Sequence, residues 1–243
     1  MNKGIAIAIL LLLLSGKVTL AGPPFGTDDP EPVEFHHWEF YISSMNQLQP
    51  GNSSGTLLHF ETNFGVIKNC QLHIELPLNY VQTAGTGFHY GYGNTELGFK
   101  FRFWKNTDES LQIGIFPILE IPTIRNAEFS TNKVQAYLPL WIQKSWGRFT
   151  TYGGGGYWIN PGPGNTNWTY GGWEAQYDFS KHLTLGSELF FRSSQVKGEK
   201  SLTGFNLGGF INFSEKIHLI FSAGHSITGN PAYTTYTGLL ITI

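Results

Sequence analysis

"QLHIELPLNY", Gln71 to Tyr80, sets Leu72, Ile74, Leu76, Leu78 and Tyr80 on one parity and Gln71, His73, Glu75, Pro77 and Asn79 on the other. Successive side chains of a strand point to opposite faces, so this alternation describes a β-strand between two unlike media. Comparable segments recur at about 33–44, 55–64, 94–104, 110–121, 133–144, 149–159, 168–179, 183–193, 202–213, 217–226 and 234–243. Together they make about twelve strands of about ten residues, the length a strand needs to cross a bilayer at a tilt. No sustained helical period competes with them.

Composition identifies the medium on the apolar side. Charged residues are 13% of the chain and aromatics 15%, with 30 glycines. A water-soluble domain carries about 25% charged residues, so this chain cannot clothe an ordinary wet surface. Mean hydropathy is nevertheless near neutral, as expected when lipid-facing and lumen-facing residues alternate. On the apolar parity (Trp38, Phe40, Ile42; Leu58, Phe60; Leu97, Phe99; Leu138, Leu140; Leu185, Leu189; Phe205, Leu207) no Asp, Glu or Arg falls inside a strand. A cation at the bilayer midplane costs about 2–4 kcal/mol, which accounts for that exclusion.

The connections alternate in length. Short "GVIKN", "KNTDES", "SWGR", "SKH" and "SEK" interleave with longer "MNQLQPGNSSG", "VQTAGTGFHYGYG", "PTIRNAEFSTN", "NPGPGNTN", "SSQVKGEKS" and "ITGNPAYT". Outer-membrane barrels have short periplasmic turns and longer extracellular loops. Phe64, Trp104, Trp146, Phe149, Phe179 and Phe213 flank the short turns and read as the periplasmic aromatic girdle. Tyr80, Tyr157 and Trp168 are assigned to the outer one. The expected fold is therefore all-β, a closed antiparallel transmembrane barrel of about 12 strands.

The ends of the chain agree. Residues 1–21 combine Lys3, the apolar run Ile5–Leu14 and the small-residue site Thr19-Leu20-Ala21, which reads as a secretory signal peptide. Residues 22–32 form a proline-rich periplasmic lead and 33–243 the barrel. Loss of Lys3 and Lys17 with the leader moves the net charge from -2 to -4, which argues against a nucleic-acid partner. The lone Cys70 rules out an internal disulfide framework. The terminal "YTGLLITI", with Tyr236, Gly238, Ile241 and Ile243, is similar to the signal read by barrel-assembly machinery, although such strands mostly end in Phe or Trp. The expected surroundings are outer-membrane lipid.

Several stretches also carry a family resemblance: "GPPFGTDDPEPVEFHHWEFY" (22–41), "LHIELPLNY" (72–80), "GNTELGFKFRF" (93–103), "FPILEIPT" (116–123), "LPLWIQKSWG" (138–147), "YGGGGYWINPG" (152–162) and "GFNLGGFINFSEKIHLIFSAGHSITG" (204–229). In order and over the whole mature chain, they resemble the bacterial outer-membrane β-barrel family labelled "putative MetA-pathway of phenol degradation", or transporter. The resemblance implies passage of small, often aromatic or hydrophobic solutes. A fold-level likeness does not fix a substrate.

The lumen parity carries the candidate site. His37-x-Glu39, His59-x-Glu61 and His73-x-Glu75 repeat on three successive strands. A turn centred near Ile67 would set Glu61 opposite His73 and His59 opposite Glu75, in cross-strand pairs worth about 0.2–1 kcal/mol each. Glu96, Glu120, Glu174 and Glu188 add to an acidic lining, with Lys100, Arg102 and Arg192 as counterions. Such rings of charge set selectivity in pores.

No metal or cofactor is assigned, because side chains on one sheet face stand nearly parallel while zinc draws ligands in to about 2.0–2.2 Å. Residues 22–32 are either a periplasmic tail or a plug folded back so that Asp28, Asp29 and Glu31 meet Lys100, Arg102 or Arg192. "YGGGGYW" (152–158) lacks the Lys-Ser/Thr of a phosphate loop and reads as close backbone approach in a strand. His225-Ser226 is the one candidate nucleophile–base pair, for an outer-membrane lipid hydrolase, but neighbours on a strand face opposite ways. No catalytic residue is assigned. The reading is a passive outer-membrane channel for small solutes, not an enzyme. A lipid hydrolase and a non-conducting structural barrel stand as alternatives.

Overall fold

The computed structural model describes residues 23–85, 87–123, 129–130 and 133–243. Residues 1–21, expected to be a signal peptide, and Gly22 lie outside them, as does part of the 122–132 connection. The segments are β1 (Trp38–Gln49), β2 (Asn52–Ile67), β3 (Cys70–Thr83), β4 (Gly87–Tyr92), β5 (Thr95–Lys105), β6 (Leu111–Ile115) and β7 (Ile118–Ile121). They continue with β8 (Gln135–Trp146), β9 (Phe149–Ile159), β10 (Trp168–Ser180), β11 (Leu183–Arg192), β12 (Leu202–Asn212), β13 (Ile217–Thr228) and β14 (Tyr233–Thr242). β4 and β5 both pair with β3, and β6 and β7 both pair with β5 and β8, so each couple is one interrupted strand. The result is a closed antiparallel barrel of 12 strands. β1 and β14 seal it, helped by mutual backbone hydrogen bonds between Trp38 and Ile243 at 2.8 and 2.9 Å.

The interruptions have local causes. Pro117 has no amide hydrogen to donate and splits β6 from β7, while its carbonyl still accepts from Phe99 N at 3.1 Å. Between β4 and β5 one extra residue is inserted against β3, a bulge that ends at Gly93-Asn94. At the short turns, Asn69 (φ 63°) and Gly147 (φ 61°) take the left-handed conformation that tight hairpins require. In the β5–β6 turn, hydrogen bonds from the Ser110 hydroxyl and amide hold the Asp108 carboxyl below its ordinary range, and a bond from Lys105 does the same for Glu109.

Polarity is inverted relative to a soluble protein. Leu58, Phe60, Leu72, Leu76, Leu138, Leu140, Trp173, Leu189 and Leu207 are exposed, while Glu61, Gln71, His73, Lys100, Gln143, Glu174 and Glu188 are buried. The outward parity expected at these positions is the observed one. β9 shows why its glycines are there: a Cβ on Gly155 would lie 2.4 Å from Tyr170 O, and one on Gly156 2.3 Å from Leu138 O. Backbones approach closely on both sides of β9, as expected for "YGGGGYW".

Three expectations need correction. The first strand begins at Trp38, not Val33, because His36 turns the chain with φ 67°. The first two outer connections are not long loops. β1 and β2 continue to a tight turn at Pro50-Gly51, and β3 and β4 extend to a turn near Ala84, because their polar residues still complete ladder hydrogen bonds. Tyr80 and Trp168 are buried in the interior, not in an outer girdle, whereas Tyr157 is exposed.

Candidate functional site

Antiparallel register lines up a row of side chains across the lumen wall. Tyr41 pairs with Glu61, Glu61 with Glu75, Glu75 with Glu96, and Glu96 with Glu120. Four carboxyls on neighbouring strands thus share one level of the barrel. Like charges directly opposite each other repel, and histidines are set between them. His59 Nε2 lies 2.7 Å from Glu75 Oε1, and His73 Nε2 lies 3.1 Å from Glu96 Oε1 and 4.0 Å from Glu75 Oε2. Asn94 Nδ2 donates to Glu120 at 3.0 Å.

The expected register is off by two residues. His59 stands opposite Pro77, Glu61 opposite Glu75 and Asn63 opposite His73, because the turn sits at Lys68-Asn69 and not at Ile67. The expected partners still meet, along diagonals: His59 with Glu75, and His73 Nδ1 with Glu61 at 3.5 Å. Nor do the side chains stay parallel. Ligand atoms of His59, Glu61 and Glu75, and of His73, Glu75 and Glu96, lie within 4.8 Å of one another.

The first His-x-Glu step, His37-x-Glu39, does not join this wall as a unit. His37 precedes β1 in the turn, exposed, with Nδ1 3.5 Å from Glu34. Glu39 does enter the interior, where Tyr41 Oη donates to it at 3.0 Å.

Residues 23–33 run inside the barrel along a continuous path, and 34–37 form the exposed turn that leads into β1. At the base, His36 N donates to Gly65 O (2.8 Å) and Val33 N to Gln71 Oε1 (2.8 Å). Glu31 accepts from Gln112 and Gln143 Nε2, each at 3.1 Å, and lies 3.7 Å from Arg102 Nη1. Lys100 Nζ lies 2.8 Å from Asp28 and 3.5 Å from Asp29. Farther in, Thr27 N donates to Glu188 Oε1 (2.5 Å) and Ser222 Oγ to Pro24 O (2.7 Å).

Three wall glycines open toward this segment. A Cβ on Gly65 would lie 1.9 Å from Glu34 O, on Gly172 2.0 Å from Thr27 Oγ1, and on Gly114 3.0 Å from Pro30 Cβ. A cavity of about 410 Å³ remains between the segment and the wall, lined in part by Glu39, Tyr41, Glu61, Lys100 and Phe116.

Of the three proposed counterions, Lys100 and Arg102 meet the segment. Arg192 does not: it sits at the outer rim, with Nη1 2.7 Å from Gln195 and Nη2 3.3 Å from Glu199. Glu174 and Glu188 face each other on β10 and β11, both buried. Tyr137, Trp158 and Trp168 form a stacked interior column, with centroids 4.8 and 5.1 Å apart. Ser226 Oγ accepts from Ala232 N (2.9 Å), and the His225 ring packs on Tyr233 at 4.4 Å, so each has a partner other than the other.

Sequence reasoning missed Asn63, Gln71, Gln112, Gln143 and the seating glycines. The uncharged amides lie on the lumen parity, which is the one signal that could have found them.

This geometry is that of a bacterial outer-membrane β-barrel. No protein-family model matches the chain, and no curated protein does. Solved structures share its fold. The outer-membrane channel from Pseudomonas putida F1 aligns over 92% of this chain and 100% of its own, with TM-score 0.74 and 13% identity. The KdgM porin aligns over 83% and 98% (TM-score 0.59, 11% identity), and the NanC porin over 83% and 98% (TM-score 0.57, 6% identity).

Proposed function

We propose that the chain is a passive outer-membrane channel for small solutes, with residues 23–32 as a plug that narrows the lumen. The observation that carries this reading is the interior itself. Charged and amide side chains line the inside of an apolar shell, and a cavity of about 410 Å³ stays open between them and the segment. The neighbours that share the fold are channels and porins, which supports the same reading.

The lining bears on what passes. Carboxyls outnumber Lys100 and Arg102, so anions meet a barrier and cations do not. The buried Tyr137–Trp158–Trp168 column makes the interior aromatic on the other wall, a character in keeping with small aromatic or hydrophobic solutes. Movement is by partition and diffusion, with no chemical step.

Planar-bilayer recording of refolded protein tests the proposal. Discrete conductance steps are expected, larger once residues 23–32 are deleted. Silence from both proteins would leave a structural barrel instead.

A further inference from the structure

The histidines of the carboxyl row do more than separate like charges. Asn63 Nδ2 donates to Glu61 Oε1 at 2.8 Å, which turns its Oδ1 toward His73 Nδ1, also at 2.8 Å. Nδ1 of His73 must therefore carry a hydrogen, and its Nε2 faces Glu96 and Glu75. An imidazole held through its far nitrogen by a second partner is the arrangement in which Nε2 serves as a metal ligand.

His59 is held similarly, with Nδ1 3.1 Å from Ser43 Oγ. Its Nε2 is fully buried and makes no hydrogen bond of good geometry, although Glu75 Oε1 is 2.7 Å away. A proton on that nitrogen would point off the line to the carboxylate. A cation placed between the two needs no such alignment.

We infer that His59, Glu61 and Glu75, with His73 and Glu96 on the other side of the shared Glu75 carboxylate, form a binding site for a divalent transition cation of the zinc type. The donor set fits that class: imidazole nitrogen with carboxylate oxygen suits zinc and its first-row neighbours, whereas calcium and magnesium prefer oxygen alone. The spacing fits as well. Ligand atoms within 4.8 Å of one another need rotamer adjustments of only about 1 Å to reach metal bond lengths of about 2.0–2.2 Å. Glu75 and Glu96 keep some exposure to the lumen, so a cation can arrive through it. A bound ion would tie β2 to β3 and β5 in mid-lumen.

Untagged refolded protein titrated with Co²⁺ is the test, read by visible d–d absorption, with Zn²⁺ as competitor. A saturable band displaced by Zn²⁺ is expected, unaffected by a large excess of Mg²⁺. His59→Gln/His73→Asn should abolish it, and Asn63→Ala should weaken binding about 10–100-fold. Heat-modifiable electrophoretic mobility verifies that each barrel has folded. If the double variant does not fold, Glu75→Gln takes its place, since it removes the shared carboxylate at constant volume. The absence of a band with wild-type protein would overturn the site and leave an ion-pair network of protonated histidines. So would a band that persists unchanged in the folded variants.

Discussion

Lys100 and Asp28 form an ion pair inside the barrel, Nζ to Oδ1 at 2.8 Å, joining β5 of the wall to the segment that precedes β1. Asp29 Oδ2 stands 3.5 Å from the same ammonium, which also lies 5.1 Å from the centre of the Phe116 ring. One lysine thus holds two carboxyls that are 72 and 71 residues away in the chain.

Removing that cation should release the segment. Breaking a buried pair from one side costs about 3–5 kcal/mol, because the remaining charge stays desolvated. Lys100→Met should therefore expose residues 23–33 to added protease and raise single-channel conductance, while the barrel keeps its heat-modifiable mobility. Combining it with Asp28→Asn and Asp29→Asn should restore protection. Unchanged protease resistance in Lys100→Met would show that the other contacts seat the segment alone.

Steric eviction tests the same seat without touching charge. Gly65 and Gly172 lie in the wall with no left-handed φ, so neither backbone has to change conformation to carry a side chain. A Cβ would instead meet Glu34 O at 1.9 Å or Thr27 Oγ1 at 2.0 Å. Gly65→Val, which collides with backbone, should dislodge the base of the segment. Gly172→Val should act at its inner end and be relieved by Thr27→Gly. Conductance no different from wild type in both would contradict the role of these glycines.

Selectivity should follow the carboxyl row. Replacing Glu61, Glu75 and Glu96 by Gln should shift the reversal potential in a salt gradient toward zero, reducing preference for cations. The difference should be large in dilute salt and small near 1 M, where the screening length falls to about 3 Å. Equal reversal potentials for wild type and triple variant at low salt would remove the row from the permeation path.

The outer surface should behave as a lipid-facing one. Leu140 is exposed in mid-β8, and Leu140→Arg should cost about 2–4 kcal/mol in urea unfolding from lipid vesicles. Lys144→Arg, near the end of the same strand, should be close to neutral. A negligible cost for Leu140→Arg would place β8 out of the bilayer.

The number of strands, their parity and the side that faces lipid were all legible along the chain. Leu72 and His73 are assigned to opposite media by period-2 alternation alone, and the bilayer enforces that assignment with kilocalories per misplaced charge. Tertiary structure decided which lumen residues meet. The β2–β3 turn places Asn69 at a left-handed φ, and a two-residue difference in register changed the residue directly opposite each histidine in the row, while the expected ion pairs formed along diagonals. It also decided that Val33 and Asp29 lie within the barrel, and that His37 lies in an exposed turn. Those positions depend on contacts with Gln71, Lys100 and Gly65, residues distant in sequence whose convergence exists only once the barrel has closed.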